Sequence, residues 1–194
     1  MTKYNTCDQD EYLLKSNLLG AQNIQELEQL ERVAFYLSSS KSENDGFDFL
    51  LPISADSVIE LHKVLFKNIY NFAGKFREVS LMKDQTRFCE PQFIEEQLNK
   101  ISKDINEEET WGSMEQAAAQ LAYYKTELNM IHPFREGNGR TIRLVIREIA
   151  KSMGYSWHFE IIEKTEYLEA MISLQTDTSE LEKLFLKSLS ETAS

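Results

Sequence analysis

The chain has 194 residues, 42% hydrophobic and 27% charged, enough apolar material for one self-supporting core and too little length for a repeat array or a large multidomain enzyme. Its 21 Lys and Arg against 32 Asp and Glu leave a net charge of −11. That excludes sequence-independent binding to nucleic acid, which depends on neutralising phosphates with excess cations. No run approaches the roughly 18 apolar residues of a membrane span, and residues 1–17 lack the basic start and apolar centre of a secretory signal. The expectation is a cytoplasmic protein with no membrane partner. Cys7 and Cys89 match no metal or redox spacing and read as free thiols of a reducing compartment. His62, His132 and His158 are too few for a multi-histidine metal centre, so any metal would be hard, carboxylate-bound and substrate-borne.

In chain order, Ile24, Leu27, Leu30, Ala34 and Leu37 mark one face of a helix over 21–38, after which the small polar run 38–46 reads as an exposed loop. Val58, Leu61, Leu65 and Ile69 set a second helix over 57–70, opened by a capping box of Ser57 with Glu60. Over 76–89, β-formers flank the polar Lys83-Asp84-Gln85, which predicts a short hairpin. A third helix carries Ile94, Leu98, Ile101 and Ile105; a fourth starts at Ser113, with Gln116 completing its cap, and shows Met114, Ala118, Leu121, Leu128 and Ile131. After a break at 132–139, Ile142, Val145, Ile149 and Met153 define a fifth helix that closes at Gly154. Two more follow near 165–175 and 179–190. The fold class is therefore all-α with one small hairpin.

The break between the fourth and fifth helices holds the chemistry: His132-Pro133-Phe134-Arg135-Glu136-Gly137-Asn138-Gly139-Arg140, then Thr141-Ile142-Arg143. Gly137 and Gly139 directly before a helix form an anion hole of backbone N–H groups suited to phosphate. Ile142 stands where a dinucleotide fingerprint needs its third glycine, and no Gly-Lys-Ser/Thr follows as in a P-loop. Arg140, Arg143 and Arg147 fall on one helix face near that N-terminus. Cations there oppose the helix dipole and are better tolerated with an anion between them. Glu136 is a hard oxygen ligand of the kind Mg²⁺ takes beside polyphosphate. His132 is the one side chain here whose ordinary pKa lets it accept a proton at neutral pH. Singly, each feature has a bland reading: a packed histidine, a turn, a solvated basic face. Phe134 reads as a core anchor in either case.

The segment HPFREGNGRTIR resembles the signature of the Fic family, His-x-Phe-x-Asp/Glu-Gly-Asn-Gly-Arg-x-x-Arg, with every specified position matched. Asn71-Phe72-Ala73-Gly74-Lys75-Phe76-Arg77 is similar to the family's aromatic-Ala-Gly-x-x-Arg segment leading into a β-hairpin flap, with Phe72 where many members have Trp. The resemblance implies a single Fic domain over 1–194, a helical bundle with its core at about 17–175 and short terminal extensions. It also implies transfer of AMP from ATP to a Tyr, Thr or Ser hydroxyl of a target protein. In that reading His132 is the general base and Glu136 holds Mg²⁺. Gly137, Asn138 and Gly139 stabilise charge at the α-phosphate, while Arg140 reaches the β-phosphate and Arg143 the γ-phosphate. The flap, 78–88, with Val79, Leu81, Met82 and Lys83, docks the target as an added strand.

Intact Gly139 favours adenylylation over the kinase chemistry of Doc-type members, which carry a bulky basic residue in the turn. Transfer of phosphocholine or UMP is less firmly excluded, and a silent nucleotide-sensing module is the reading from another class. Many members are inhibited by a helix bearing Ser/Thr-x-x-x-Glu-Gly/Asn. Here Ser39–Asn44 matches literally but falls in the expected loop, and Thr178 with Glu182 has the spacing but ends in Lys183. The resemblance therefore points to a toxin inhibited by a separate small antitoxin, with an ATPase subunit of a type II topoisomerase as the expected target.

Overall fold

Asn23, in extended backbone, accepts the N–H of Glu26 at 2.9 Å and starts the longest helix of the chain. In this computed structural model, which describes residues 9–83, 85–173 and 177–192 and the side chains of these except at 43–45 and 173, α1 (Gln9–Ser16) precedes that helix, α2 (Ile24–Asp45). The segment 38–46, expected as a loop, continues α2 to Asp45, and the helix stops at Gly46 with φ 80°. The polar run satisfies itself within the helix: the hydroxyl of Ser42 donates to the carbonyl of Ser38 at 2.8 Å, and that of Ser39 to Tyr36 at 3.1 Å. Ser42 is also buried. The stretch Ser39–Asn44 therefore rides on the end of a helix.

A 3₁₀ turn at Asp48–Leu50 leads to α3 (Ala55–Phe66). Its capping box is made by Ser54 and Ser57, whose hydroxyls exchange bonds with each other's backbone N–H at 3.0 and 2.9 Å. The expected start at Ser57 with Glu60 is three residues too late, because Ser54 takes the extended cap conformation and Ser57 plays the inner role. The hairpin is shorter than expected: β1 (Met82–Lys83) pairs antiparallel with β2 (Thr86–Arg87), Met82 opposite Arg87 and Lys83 opposite Thr86.

After the 3₁₀ turn Pro91–Phe93, α4 (Ile94–Asn106), α5 (Met114–Ile131) and α6 (Asn138–Ser152) follow the expected stripes. Ser113 caps α5 by accepting the N–H of Gln116. Beyond them come β3 (Tyr155–Trp157), the 3₁₀ turn Phe159–Ile161, α7 (Lys164–Ser173), α8 (Ser179–Ser188) and β4 (Leu189–Glu191). β3 and β4 pair antiparallel with Trp157 opposite Leu189, a sheet that strands of three residues do not announce in sequence.

α5 is the central rod, packed against α4, α6 and α8. Its Ala117, Ala118 and Ala122 are buried, and small side chains there let neighbouring backbones come close. Leu61, Leu65, Leu98, Leu121, Val145, Ile149, Leu184 and Phe185 fill one core around it, each large side chain contributing about 1.5 to 3 kcal/mol of burial. α8 is thus part of the core. Among the described residues no helix is long and apolar enough to cross a membrane. This packing sets α6 against α5, with their short connection, 132–137, held between them.

Candidate active site

His132 ends α5 in the left-handed region, φ 48° and ψ 61°, the one non-glycine positive φ among the described residues. A non-glycine residue there is uncommon and strained, so the surroundings must hold it. Buried Arg77 does so. Its Nε donates to the carbonyl of His132 at 2.7 Å, Nη1 to Val79 at 2.6 Å, and Nη2 to Ile131 at 3.2 Å and to Cys89. One guanidinium therefore ties both roots of the flap to the loop that begins at His132. The imidazole of His132 stacks on Phe88 at 3.8 Å and 14°, and its Nδ1 lies 3.1 Å from the carbonyl of Asn129.

Past Pro133, Phe134 is fully buried and stacks at 3.8 Å on His62. His62 is itself fully buried and bridges two segments: Gly74 N–H donates to its Nδ1 at 2.9 Å, so its Nε2–H donates to the carbonyl of Glu136 at 3.0 Å. Burial, with the charge of Arg140 adding, lowers its pKa to about 4. The ring is thus a neutral strut under the loop.

Glu136 is buried, with Oε1 accepting the N–H of Gly137 at 2.9 Å and facing Arg140 at 3.6 Å. Gly137 has φ 83°, and a Cβ on it would meet the Phe66 ring at 2.5 Å, so only glycine fits. A Cβ on Gly139 would meet no heavy atom within 4 Å. No side chain caps the N-terminus of α6, which leaves its positive end to whatever approaches that open space.

The side chain of Asn138 is turned into the loop. Its Oδ1 accepts the N–H of Phe134 at 2.8 Å and its Nδ2 donates to the carbonyl of Phe134 at 2.7 Å. The buried amide closes the loop on itself, so what Asn138 offers an anion is its backbone N–H.

The arginines diverge. Arg140 pairs with Glu31 of α2 and lies over the rings of Phe35 and Phe66 at 4.7 and 4.9 Å. Arg143 turns to Phe159 at 4.7 Å and has no carboxylate partner among the described residues. Burial and the charge of Arg140 lower its pKa against the opposing pull of Tyr167, an electrostatic cost that an anion would relieve. Arg147, expected on the same face, instead lies over Phe47 and bonds Glu148 at 3.3 Å. In the flap, Val79, Met82 and Lys83 are exposed, whereas Leu81 is buried against Phe88. Glu31, His62 and Arg77 went unassigned from sequence; only Arg77 left a signal, as a cation closing an aromatic segment.

The fold and this site define a class: helical chains whose central helix pair is joined by a histidine-led, glycine-bearing loop beneath a hairpin. Residues 52–150 match the model of the Fic/DOC family, and the chain belongs to it. It is 30% identical over 172 residues to the probable protein adenylyltransferase Fic of Escherichia coli strain K12, covering 87% of this chain and 86% of that one. It is 33% identical to protein adenylyltransferase VbhT of Bartonella schoenbuchensis, covering 85% of this chain but 34% of that longer protein. Among solved structures, BepC of Bartonella tribocorum with bound AMPPNP superposes with a TM-score of 0.79 at 20% identity, over 91% of this chain and 92% of that one. That likeness carries the fold.

Proposed function

We propose that this chain is a protein adenylyltransferase that moves AMP from ATP to a Tyr, Thr or Ser hydroxyl of a target protein and releases pyrophosphate. The relatives bear that name, and the observation that carries the reading is the pairing of His132 with an open helix N-terminus. Nδ1–H of His132 is committed to the Asn129 carbonyl, which puts the lone pair of the neutral ring on Nε2. The target hydroxyl gives its proton to that nitrogen as its oxygen attacks the α-phosphorus; the bond to the bridging oxygen breaks, and pyrophosphate leaves with the electron pair. Backbone N–H groups at Asn138 and Gly139 would meet the charge developing on the α-phosphate, while Gly137, its own N–H held by Glu136, shapes the turn. Arg140 is assigned the β-phosphate and Arg143 the γ-phosphate.

Glu136 would hold Mg²⁺. Among the described residues no cluster of three or more metal-ligating side chains exists, which fits an ion that takes one carboxylate and draws its other ligands from phosphate and water. When bound, the ion neutralises phosphate charge. The exposed Val79, Met82 and Lys83 suit a target strand added to the flap edge, with Leu81 as its buried anchor.

Regulation is assigned to a separate chain, a small antitoxin whose glutamate would reach Arg143, because that guanidinium has no carboxylate partner among the described residues. Of the internal candidates, Glu182 accepts the Thr178 hydroxyl at 2.7 Å at the start of α8. Glu43 lies on α2 with its side chain outside the described residues. The target class expected by resemblance, the ATPase subunit of a type II topoisomerase, is the first to test. Incubation of the chain with α-labelled ATP, Mg²⁺ and a lysate, then mass spectrometry of labelled proteins, should find AMP on a hydroxyl. Transfer from γ-labelled ATP, or nucleotide binding without transfer, would overturn the reading in favour of a kinase or a sensor.

A further inference from the structure

Arg140 is held by groups from α2 and α3, besides Glu136 of the loop at 3.6 Å. The carboxylate of Glu31, on α2, uses both oxygens: Oε1 accepts from Arg140 Nη2, and Oε2 accepts the hydroxyl of Tyr70 at 2.6 Å. Tyr70 is 1% exposed and Glu31 9%, so this relay sits beneath the surface. The phenol is kept a neutral donor, its pKa raised by burial first and by the Glu31 charge second. Phe35 and Phe66, whose rings are 5.5 Å apart, flank the guanidinium. Glu31 lies outside the residues 52–150 that the family model matches.

Fold stability gives little reason for the arrangement. A buried ion pair is often no better than well-packed apolar residues of the same volume, because desolvation of two charges offsets their attraction. What it does supply is a fixed guanidinium. A free arginine side chain samples many rotamers, and ordering it before a ligand arrives removes that entropic cost from binding.

We propose that Glu31, itself held by Tyr70, is a positioning residue that aims Arg140 at the nucleotide's β-phosphate. This rests on the reading of the site as an ATP site. A carboxylate paired with a phosphate-binding arginine can also compete with phosphate, and the two roles predict opposite signs. The second hydrogen bond, to buried Tyr70, favours positioning, since a competitor has to leave and Glu31 would leave a buried phenol without its acceptor.

The test is calorimetric titration of the full chain and of Glu31→Ala, Glu31→Gln and Tyr70→Phe with ATP, ADP and AMP, alongside AMP-transfer kinetics and thermal melts. Glu31→Ala should weaken ATP and ADP by about tenfold or more, as loss of an aligned charged contact does. AMP, which has no β-phosphate, should change less than about twofold. KM for ATP should rise by more than kcat falls. Glu31→Gln, which keeps an acceptor for Tyr70, should recover part of the loss, and Tyr70→Phe should show a smaller loss in the same order of nucleotides. Tighter ATP binding or faster transfer in Glu31→Ala would overturn the proposal in favour of a brake. Equal loss for all three nucleotides together with a lowered melting temperature would reduce Glu31 to a structural residue. Variants that bind ATP as the wild type does overturn this inference alone; a wild-type chain that binds no nucleotide overturns the ATP reading beneath it.

Discussion

The ring of His132 is held by Asn129, three residues back on the same helix, through Nδ1 and a carbonyl oxygen 3.1 Å apart. A carbonyl can only accept, so the helix itself selects the tautomer, and the stack on Phe88 selects the ring plane. His132→Ala should therefore abolish proton acceptance without disturbing the groups around Gly137 and Arg140 to which phosphate binding is assigned. Transfer should fall by about 10² to 10⁴, the usual worth of general-base catalysis, with ATP affinity unchanged by titration. Near wild-type labelling by the mutant would remove His132 from the role.

Gly137 and Gly139 are two residues apart and should respond oppositely to a methyl group. Gly137→Ala forces a left-handed φ on a residue with a Cβ and drives it into the buried Phe66 ring; a loss of about 2 kcal/mol or more in folding stability is expected. Gly139→Ala meets no protein atom and should melt at the wild-type temperature or slightly above, since alanine is favoured over glycine in a helix by up to about 1 kcal/mol. Its methyl points into the open space at the start of α6, so ATP affinity should drop while the fold stays intact. Unchanged ATP titration in Gly139→Ala would place the phosphates elsewhere.

The difference between these glycines marks where sequence reading reaches its limit. A contiguous motif exposes its chemistry because all its members lie within twelve residues, and α4, α5 and α6 are legible because each carries an unbroken apolar stripe. α2 is legible only to Ser38: its last turns are polar and carry no apolar stripe, their hydroxyls bonding back to the carbonyls of Ser38 and Tyr36 within the helix, so in sequence they look like a loop. The supports of the site are hidden for another reason. Glu31 is 109 positions from Arg140, His62 is 74 from Glu136 and Arg77 is 55 from His132, separations that no local period reports. Asn138 was visible as a motif member, but the bonds that turn its side chain inward exist only once the loop has closed.

His62 makes stability depend on pH in a defined window. Unfolded, it titrates near its ordinary 6.5; folded, at about 4. Between these values the unfolded chain takes up a proton that the native ring refuses, so stability is full above pH 6.5 and falls as the solution is acidified toward 4. The full effect is about 3 kcal/mol, since each tenfold change in proton affinity is worth about 1.4 kcal/mol. Protonation would also put a hydrogen on Nδ1, where Gly74 already donates. Urea unfolding at pH 7 and pH 5 should show a loss in the wild type of about 2 kcal/mol beyond that in His62→Gln. Parallel losses in both would assign the acid sensitivity to other groups.

Arg143 differs from Arg140 in what already occupies it: Arg140 has Glu31 and Glu136, whereas Arg143 has a ring, that of Phe159, and no carboxylate partner among the described residues. A half-buried cation in that state is electrostatically costly, and its lowered pKa reports the cost. It is the group in the site with most to gain from an arriving anion. Placed one turn into α6 from the loop, it is proposed to take the terminal phosphate, farthest from the bond that breaks, where it would orient ATP. Arg143→Ala should reduce kcat/KM by roughly 10- to 150-fold, the loss of a charged contact in a partly water-excluded site. ADP, lacking the γ-phosphate, should lose much less affinity. Any inhibitory partner whose glutamate uses this guanidinium should be weakened by the same substitution, because both ligands draw on one cation. Titrations of ATP and ADP against wild type and mutant decide it: an equal loss for both nucleotides would move Arg143 away from the terminal phosphate.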